Sequence, residues 1–282
     1  MKLRTFFLLL LIISNSGISA QNQSDDDWDK EFKDGCSTEN TPQKKPTYIS
    51  QLSSSSYKTV AEQFKTGRMQ FGLLAGGYRG TQGTGQHVAI KGLVGDYYSV
   101  TNPTAGGGIV GLSYYIKSLA LDNPEYELQY SISSFFLSSS TVAGYVTQEN
   151  IVTNLKYQYN IYNIPGYLGV KLTKLNEDSR VNVAFDLGLG VNKIKTSVFY
   201  ETSLTSYTLP DLFFTSGNSY EFSMMTGIGL RLENAFGKNP LECGYRFFYL
   251  GQGQLDPTNT LISKGLKTGQ NYANVFACEF II

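Results

Sequence analysis

V-N-V-A-F-D-L-G-L-G-V-N, residues Val181–Asn192, decides the fold. Every odd position is apolar: Val181, Val183, Phe185, Leu187, Leu189 and Val191. The even positions are polar or very small: Asn182, Ala184, Asp186, Gly188, Gly190 and Asn192. Successive strand side chains point to opposite faces, so this stretch predicts a β-strand with one greasy and one polar face. A soluble sheet would lay the greasy face on a core. A tilted strand of about 9–11 residues that crosses a bilayer turns it to lipid instead, with the polar face toward a lumen.

The alternation recurs on both sides of this strand. Met69–Tyr78 sets Met69, Phe71, Leu73 and Ala75 against Gln70, Gly72, Leu74 and Gly76. A Gly/Thr-rich connection to Gly107 follows, in which His87–Ile90 and Tyr97–Val100 suit a small hairpin. Gly108–Lys117 and Tyr126–Leu137 alternate next, around the turn signal Asp122-Asn123-Pro124. A polar loop is expected from there to Thr153. Leu155–Leu172 changes phase: Leu155, Tyr157, Tyr159 and Ile161 are odd, whereas Leu168, Val170 and Leu172 are even. A period of two cannot change parity without an extra residue, so a bulge is expected near Asn163–Gly166. After Val181–Tyr200 come Tyr220–Leu232, Leu241–Leu250 and Tyr272–Ile282, separated by a loop, a short turn at Gly237–Pro240 and another loop. These readings give eight strands whose connections alternate long and short. Single-chain bacterial barrels have an even strand number, short periplasmic turns and longer extracellular loops. A soluble sandwich explains the alternation but not that asymmetry.

The chain has 282 residues with 23 basic and 23 acidic side chains, so no basic excess points to nucleic acid. Residues 1–20 read as an export signal. Lys2 and Arg4 precede the apolar run Phe6–Ile13, and Ile18-Ser19-Ala20 suits cleavage. Residues 21–66 read as a polar, mostly disordered periplasmic tail: Asp25–Asp29 is acidic apart from Trp28, and few aliphatics follow. The acidic run lacks the spacing of a calcium loop. Residues 67–282 form the expected barrel.

The run Gly244-Tyr245-Arg246-Phe247-Phe248-Tyr249-Leu250-Gly251 resembles the G-Y-R-Y motif in the penultimate strand of opacity-type outer-membrane barrels. Phe276–Ile282 resembles their C-terminal assembly signal, although that signal usually ends in an aromatic residue and this chain ends in Ile282. The resemblance, to small eight-stranded barrels that include the membrane domain of outer membrane protein A, spans about residues 67–282. It implies an all-β, eight-stranded antiparallel transmembrane barrel in the bacterial outer membrane.

Strand parity places Glu127, Asp186, Glu221, Glu242 and Glu279 inward with Lys117, Lys171, Arg231 and Arg246. Enclosed charges must pair or stay hydrated, so a cross-linked lumen network is expected, with Arg246 its best bidentate partner. Cys243 and Cys278 share outward parity near the periplasmic rim of consecutive strands. Directly opposed residues lie about 4.5–5.5 Å apart, within reach of a disulfide. Register decides between that bond and two small apolar residues facing lipid, with Cys36 left over. His87, the single histidine, has Asp96 and Ser99 near in sequence but no motif linking them to catalysis. No phosphate loop, metal-ligand spacing or cofactor signature is present. The expectation is a non-enzymatic, monomeric surface protein. It presents loops to an extracellular ligand or host surface, or supports the envelope, while its wall contacts lipid. A narrow pore for small solutes is the alternative, and an outer-rim lipid-modifying enzyme comes third.

Overall fold

The computed structural model describes residues 68–118, 125–176 and 178–282. The export signal, the tail and Cys36 lie outside them. Thirteen strands run in chain order. They are β1 (Met69–Thr81), β2 (Gln86–Val88), β3 (Asp96–Val100), β4 (Thr104–Lys117), β5 (Tyr126–Gln148), β6 (Val152–Lys174) and β7 (Val181–Ser203). Then come β8 (Phe214–Thr215), β9 (Gly217–Phe236), β10 (Asn239–Gly251), β11 (Gln254–Pro257), β12 (Leu266–Lys267) and β13 (Asn271–Ile281).

Eight of them close a barrel. Pairing runs β5–β4–β1–β13–β10–β9–β7–β6 and returns to β5. Every pair in the ring is antiparallel, and the seam between the first and last strands is closed by Gly72↔Ile281 through Thr81↔Tyr272. Closure removes both sheet edges, the condition for placing strands in hydrocarbon.

The wall is apolar on the outside. Phe71, Leu73, Leu168, Leu187, Leu189, Ile228, Leu230 and Phe276 are all exposed, Leu187 to 55% and Phe276 to 66%. Such a continuous apolar band on a closed barrel is a lipid-facing surface. Tyr220 stands at its upper margin under the Lys193 ammonium, 5.9 Å from the ring centroid. An aromatic ring at that level is what a membrane interface favours.

The structure corrects the expected loop from 138 to 153. This stretch is the upper half of β5 and the start of β6, joined by a turn in which Glu149 and Asn150 have φ of 51° and 56°. Two consecutive left-handed residues make the tight hairpin turn whose twist matches the strands. Three of the four upper connections are therefore long and the second, between β5 and β6, is short. The strand from Val181 also runs on to Ser203 rather than Tyr200.

The bulge expected near Asn163–Gly166 is absent. Residues from Asn163 through Lys174 pair with β7 without a register shift, and odd positions of β6 face inward from Leu155 to Thr173. What changes is the surroundings. Ile164, Leu168, Val170 and Leu172 face lipid in the lower half. Above them Leu155, Tyr157, Tyr159 and Ile161 fill the barrel interior. One strand thus passes from an inside-out to an ordinary protein environment. Along β6 the shifts lie opposite Leu137–Ser140 and Val146–Thr147 of β5, and in β7 opposite Gln158–Asn160, where Val198 has φ 58°.

Candidate functional site

The lumen is filled in three layers. The lowest is charged. Lys171 of β6 donates from Nζ to Glu242 Oε1 and Oε2 at 2.9 and 3.0 Å and to Glu279 Oε2 at 3.3 Å. Asp186 Oδ1 lies 3.7 Å away. Arg246 of β10 donates from Nε to Asp186 Oδ2 at 3.0 Å, and from Nη2 to Glu242 at 3.1 Å and Glu279 at 2.9 Å. Arg231 reaches Glu127 at 3.3 Å and Glu242 at 3.8 Å. Lys117 closes the lower rim on Glu127 at 2.6 Å. Lys171, Arg231, Arg246, Glu242 and Glu279 are all buried, so each charge depends on these partners.

Register brings the groups together. Lys171 pairs with Asp186 across β6–β7, Asp186 with Gly227 across β7–β9, and Gly227 with Arg246 across β9–β10. Glycine is required where the chains cross the cluster. A Cβ at Gly227 would stand 2.7 Å from Arg246 Cγ, and one at Gly72 would overlap the Glu279 carboxylate. The small residues of the polar strand faces are thus room for long charged side chains.

Two placements differ from the sequence reading. Glu221 is inward but makes no ion pair among the described residues. It sits beside Gly251, six residues along β9 from Gly227, roughly 20 Å up the strand. Tyr115 joins the network unforeseen: its hydroxyl donates to Glu279 Oε1 at 2.7 Å, and Lys171 Nζ lies 4.4 Å from its ring centroid. Its inward parity is readable in Gly108–Lys117, but its phenol carries no formal charge to mark it as a member of the network.

Above the charges lies an apolar layer of Leu74, Ile109, Phe135, Tyr167, Met225 and Phe248. Phe135, Tyr167 and Phe248 meet pairwise with centroids 5.2–6.0 Å apart. The third layer is an apolar head above the lipid band. The β2–β3 hairpin pairs with β5, while β8, β11 and β12 form a small separate sheet. A bridge at Ile90↔Ile262 ties two upper connections together. Beneath them Tyr98, Val142, Val146, Leu155, Phe214 and Leu255 pack into one core.

A carboxylate holds the head together. Glu201, buried, accepts Tyr98 Oη at 3.0 Å and the amides of Asp211 and Leu212 at 3.1 and 2.9 Å. Burial, reinforced by the Asp211 charge, raises its pKa above the ordinary carboxylate value despite those hydrogen bonds. Burial likewise raises Asp96, which accepts the Glu149 amide. His87 Nε2 meets the Val94 carbonyl at 3.0 Å and Ser99 Oγ donates to the Tyr145 carbonyl. His87, Asp96 and Ser99 are therefore bonded to other groups rather than to one another. Among the described residues no cluster of His, Cys, Asp and Glu could hold a metal. Cys243 and Cys278 are paired in register, with Cα atoms 4.0 Å apart, and form a disulfide on the outer wall.

A closed antiparallel ring of eight strands, apolar outside and charged within, defines this chain as an outer-membrane β-barrel protein. No family model and no curated protein matches it. Among solved structures it is similar to Neisserial surface protein A, at 9% identity and a TM-score of 0.36, covering 75% of this chain and 96% of that one. It is similar to the outer membrane protease OmpT from Escherichia coli, at 9% and 0.45, covering 76% and 95%. The outer membrane protein OprG from Pseudomonas aeruginosa gives 11% and 0.43, with the same coverage. A barrel fold by itself does not select among activities.

Proposed function

We propose that the protein is a non-enzymatic, monomeric surface-presentation barrel. It holds a rigid extracellular head for contact with a ligand or host surface. The observation that carries this reading is the continuation of β5, β6 and β7 beyond the lipid band into a head with its own apolar core. A loop that only closes a barrel needs no core; a binding platform benefits from rigid support. The charged, aromatic and apolar layers fill the lumen and support this reading over a pore. The separate bonding of His87, Asp96 and Ser99 supports it over a lipid-modifying enzyme. In this reading residues 1–20 are removed on export and 21–66 lie in the periplasm.

The test replaces residues 204–213 with a short Gly-Ser turn and measures attachment of cells displaying the protein. Attachment should fall while heat-modified gel mobility, which reports the folded barrel, stays unchanged. Unchanged attachment, or steady single-channel conductance of the wild-type protein, would overturn the reading.

A further inference from the structure

A cleft of about 400 Å³ opens on the extracellular side between β2 and the segment leading into β12. That volume falls within the range of small-molecule sites. Its polar lining is Gln86, His87, Ser263, Lys264 and Lys267, and no carboxylate lines it. The two walls come from positions about 180 residues apart and are fastened to each other. Gln86 Nε2 donates to the Lys267 carbonyl at 2.8 Å, and Gln86 Oε1 accepts the Lys267 amide at 3.2 Å. The Ile90↔Ile262 bridge and the Lys91 amide on the Leu261 carbonyl, at 2.8 Å, pin the same walls further along. The cleft is thus part of the packed head.

Its charges are unbalanced. Lys264 and Lys267 are exposed and make no ion pair among the described residues. Asp256 of β11 stands one residue beyond the Leu255↔Leu266 pair and forms no ion pair with either lysine, while Asp96 accepts the Glu149 amide and the Glu149 side chain accepts the Val94 amide at 2.9 Å. Two ammonium groups beside an amide, a hydroxyl and an imidazole suit an anion that also carries hydroxyls. The cleft exceeds the volume of a bare oxyanion, and it has no aromatic platform for a base to stack on.

We propose that this cleft binds a sulfated or phosphorylated sugar, Lys264 and Lys267 holding the anionic group and Gln86 and Ser263 the ring hydroxyls. The assignment rests on the surface-contact reading and names its ligand chemistry. A sulfated sugar would come from a host glycan, a phosphorylated one from an envelope saccharide.

The test uses the full chain folded in non-ionic detergent. Calorimetric titration compares a sulfated glucosamine–uronate disaccharide, glucose 1-phosphate, inorganic sulfate and inorganic phosphate. One of the two sugars should bind more tightly than either inorganic ion, and which one does so identifies the source. Lys264→Gln with Lys267→Gln should weaken that binding at least tenfold at unchanged heat-modified mobility. Lys193→Gln with Lys195→Gln, which removes two exposed cations from the outer wall, should leave it intact. Raising salt from 50 to 500 mM should weaken it as well. The assignment fails if neither sugar binds, if an inorganic ion binds as tightly as the sugars, or if the Lys264/Lys267 variant keeps wild-type affinity. Should any of these results accompany lost attachment in the 204–213 replacement, the surface-contact reading survives and only the cleft is refuted.

Discussion

Arg246→Ala tests the physics of the lumen most directly. The guanidinium makes three charge-assisted bonds of 2.9–3.1 Å, to Asp186, Glu242 and Glu279. Without it those three carboxylates share Lys171, at 2.9–3.7 Å, with Arg231 3.8 Å from Glu242. Three separate bonds of roughly 1.5–3 kcal/mol each would overstate the loss, because the carboxylates can turn toward Lys171. Breaking a buried pair from one side costs about 3–5 kcal/mol, and that is the expected destabilisation. The assay is urea unfolding from phosphatidylcholine vesicles followed by far-UV circular dichroism. Adding Glu242→Gln should cost less than the sum of the single changes, with a coupling of roughly 0.5–3 kcal/mol. A loss under about 1 kcal/mol, or strict additivity, would refute the claim that the charges are mutually dependent.

Three further outcomes are expected. Leu187→Arg puts a cation on the lipid face and should cost about 2–4 kcal/mol in the same titration; unchanged stability would mean that the face is not in lipid. Cys243→Ser with Cys278→Ser opens a link between residues 35 apart in sequence, worth roughly 3–4 kcal/mol by chain entropy. If both thiols take an alkylating label without prior reduction, the bond does not form in the envelope. For Glu201 the folded-state pKa is raised, so folding of the head binds a proton. Its stabilising contribution is full below the ordinary carboxylate pKa of 4.5 and is lost as pH rises through the raised value. Hydrogen exchange in residues 204–216, corrected for intrinsic rates, should show tighter protection at pH 4 than at pH 7. Glu201→Gln should flatten that difference, and a difference of the opposite sign would reject the linkage.

The membrane-spanning strands were legible because lipid outside and charge inside force a strict period of two. Val181–Asn192 displays that rule without interruption, and Tyr220–Leu232 and Leu241–Leu250 depart from it where Met225, Phe248 and Leu250 turn apolar side chains inward. The head was not legible for the same reason. Above the lipid the rule reverses, so Leu155, Tyr157, Tyr159 and Ile161 read as a phase change requiring a bulge. Glu149-Asn150 carries no glycine, and a turn built on two left-handed non-glycine residues gives no turn signal. Glu221 was grouped with the lumen charges because parity fixes the face but not the height. The anion cleft joins Gln86 to Lys264 and Lys267, and no local pattern connects segments so far apart.

The reversal of polarity along β6 also fixes how deep the barrel sits. Were the barrel to sink by four residues, Lys193 and Lys195, which stand just above Val191 on the outer wall of β7, would enter hydrocarbon. Were it to rise by as much, Leu189 and Val191 would be lifted into water. Both displacements cost free energy, and each steepens with distance. The position of the barrel along the membrane normal is therefore a narrow minimum set by its own sequence. The head it carries is held at a constant height above the cell surface.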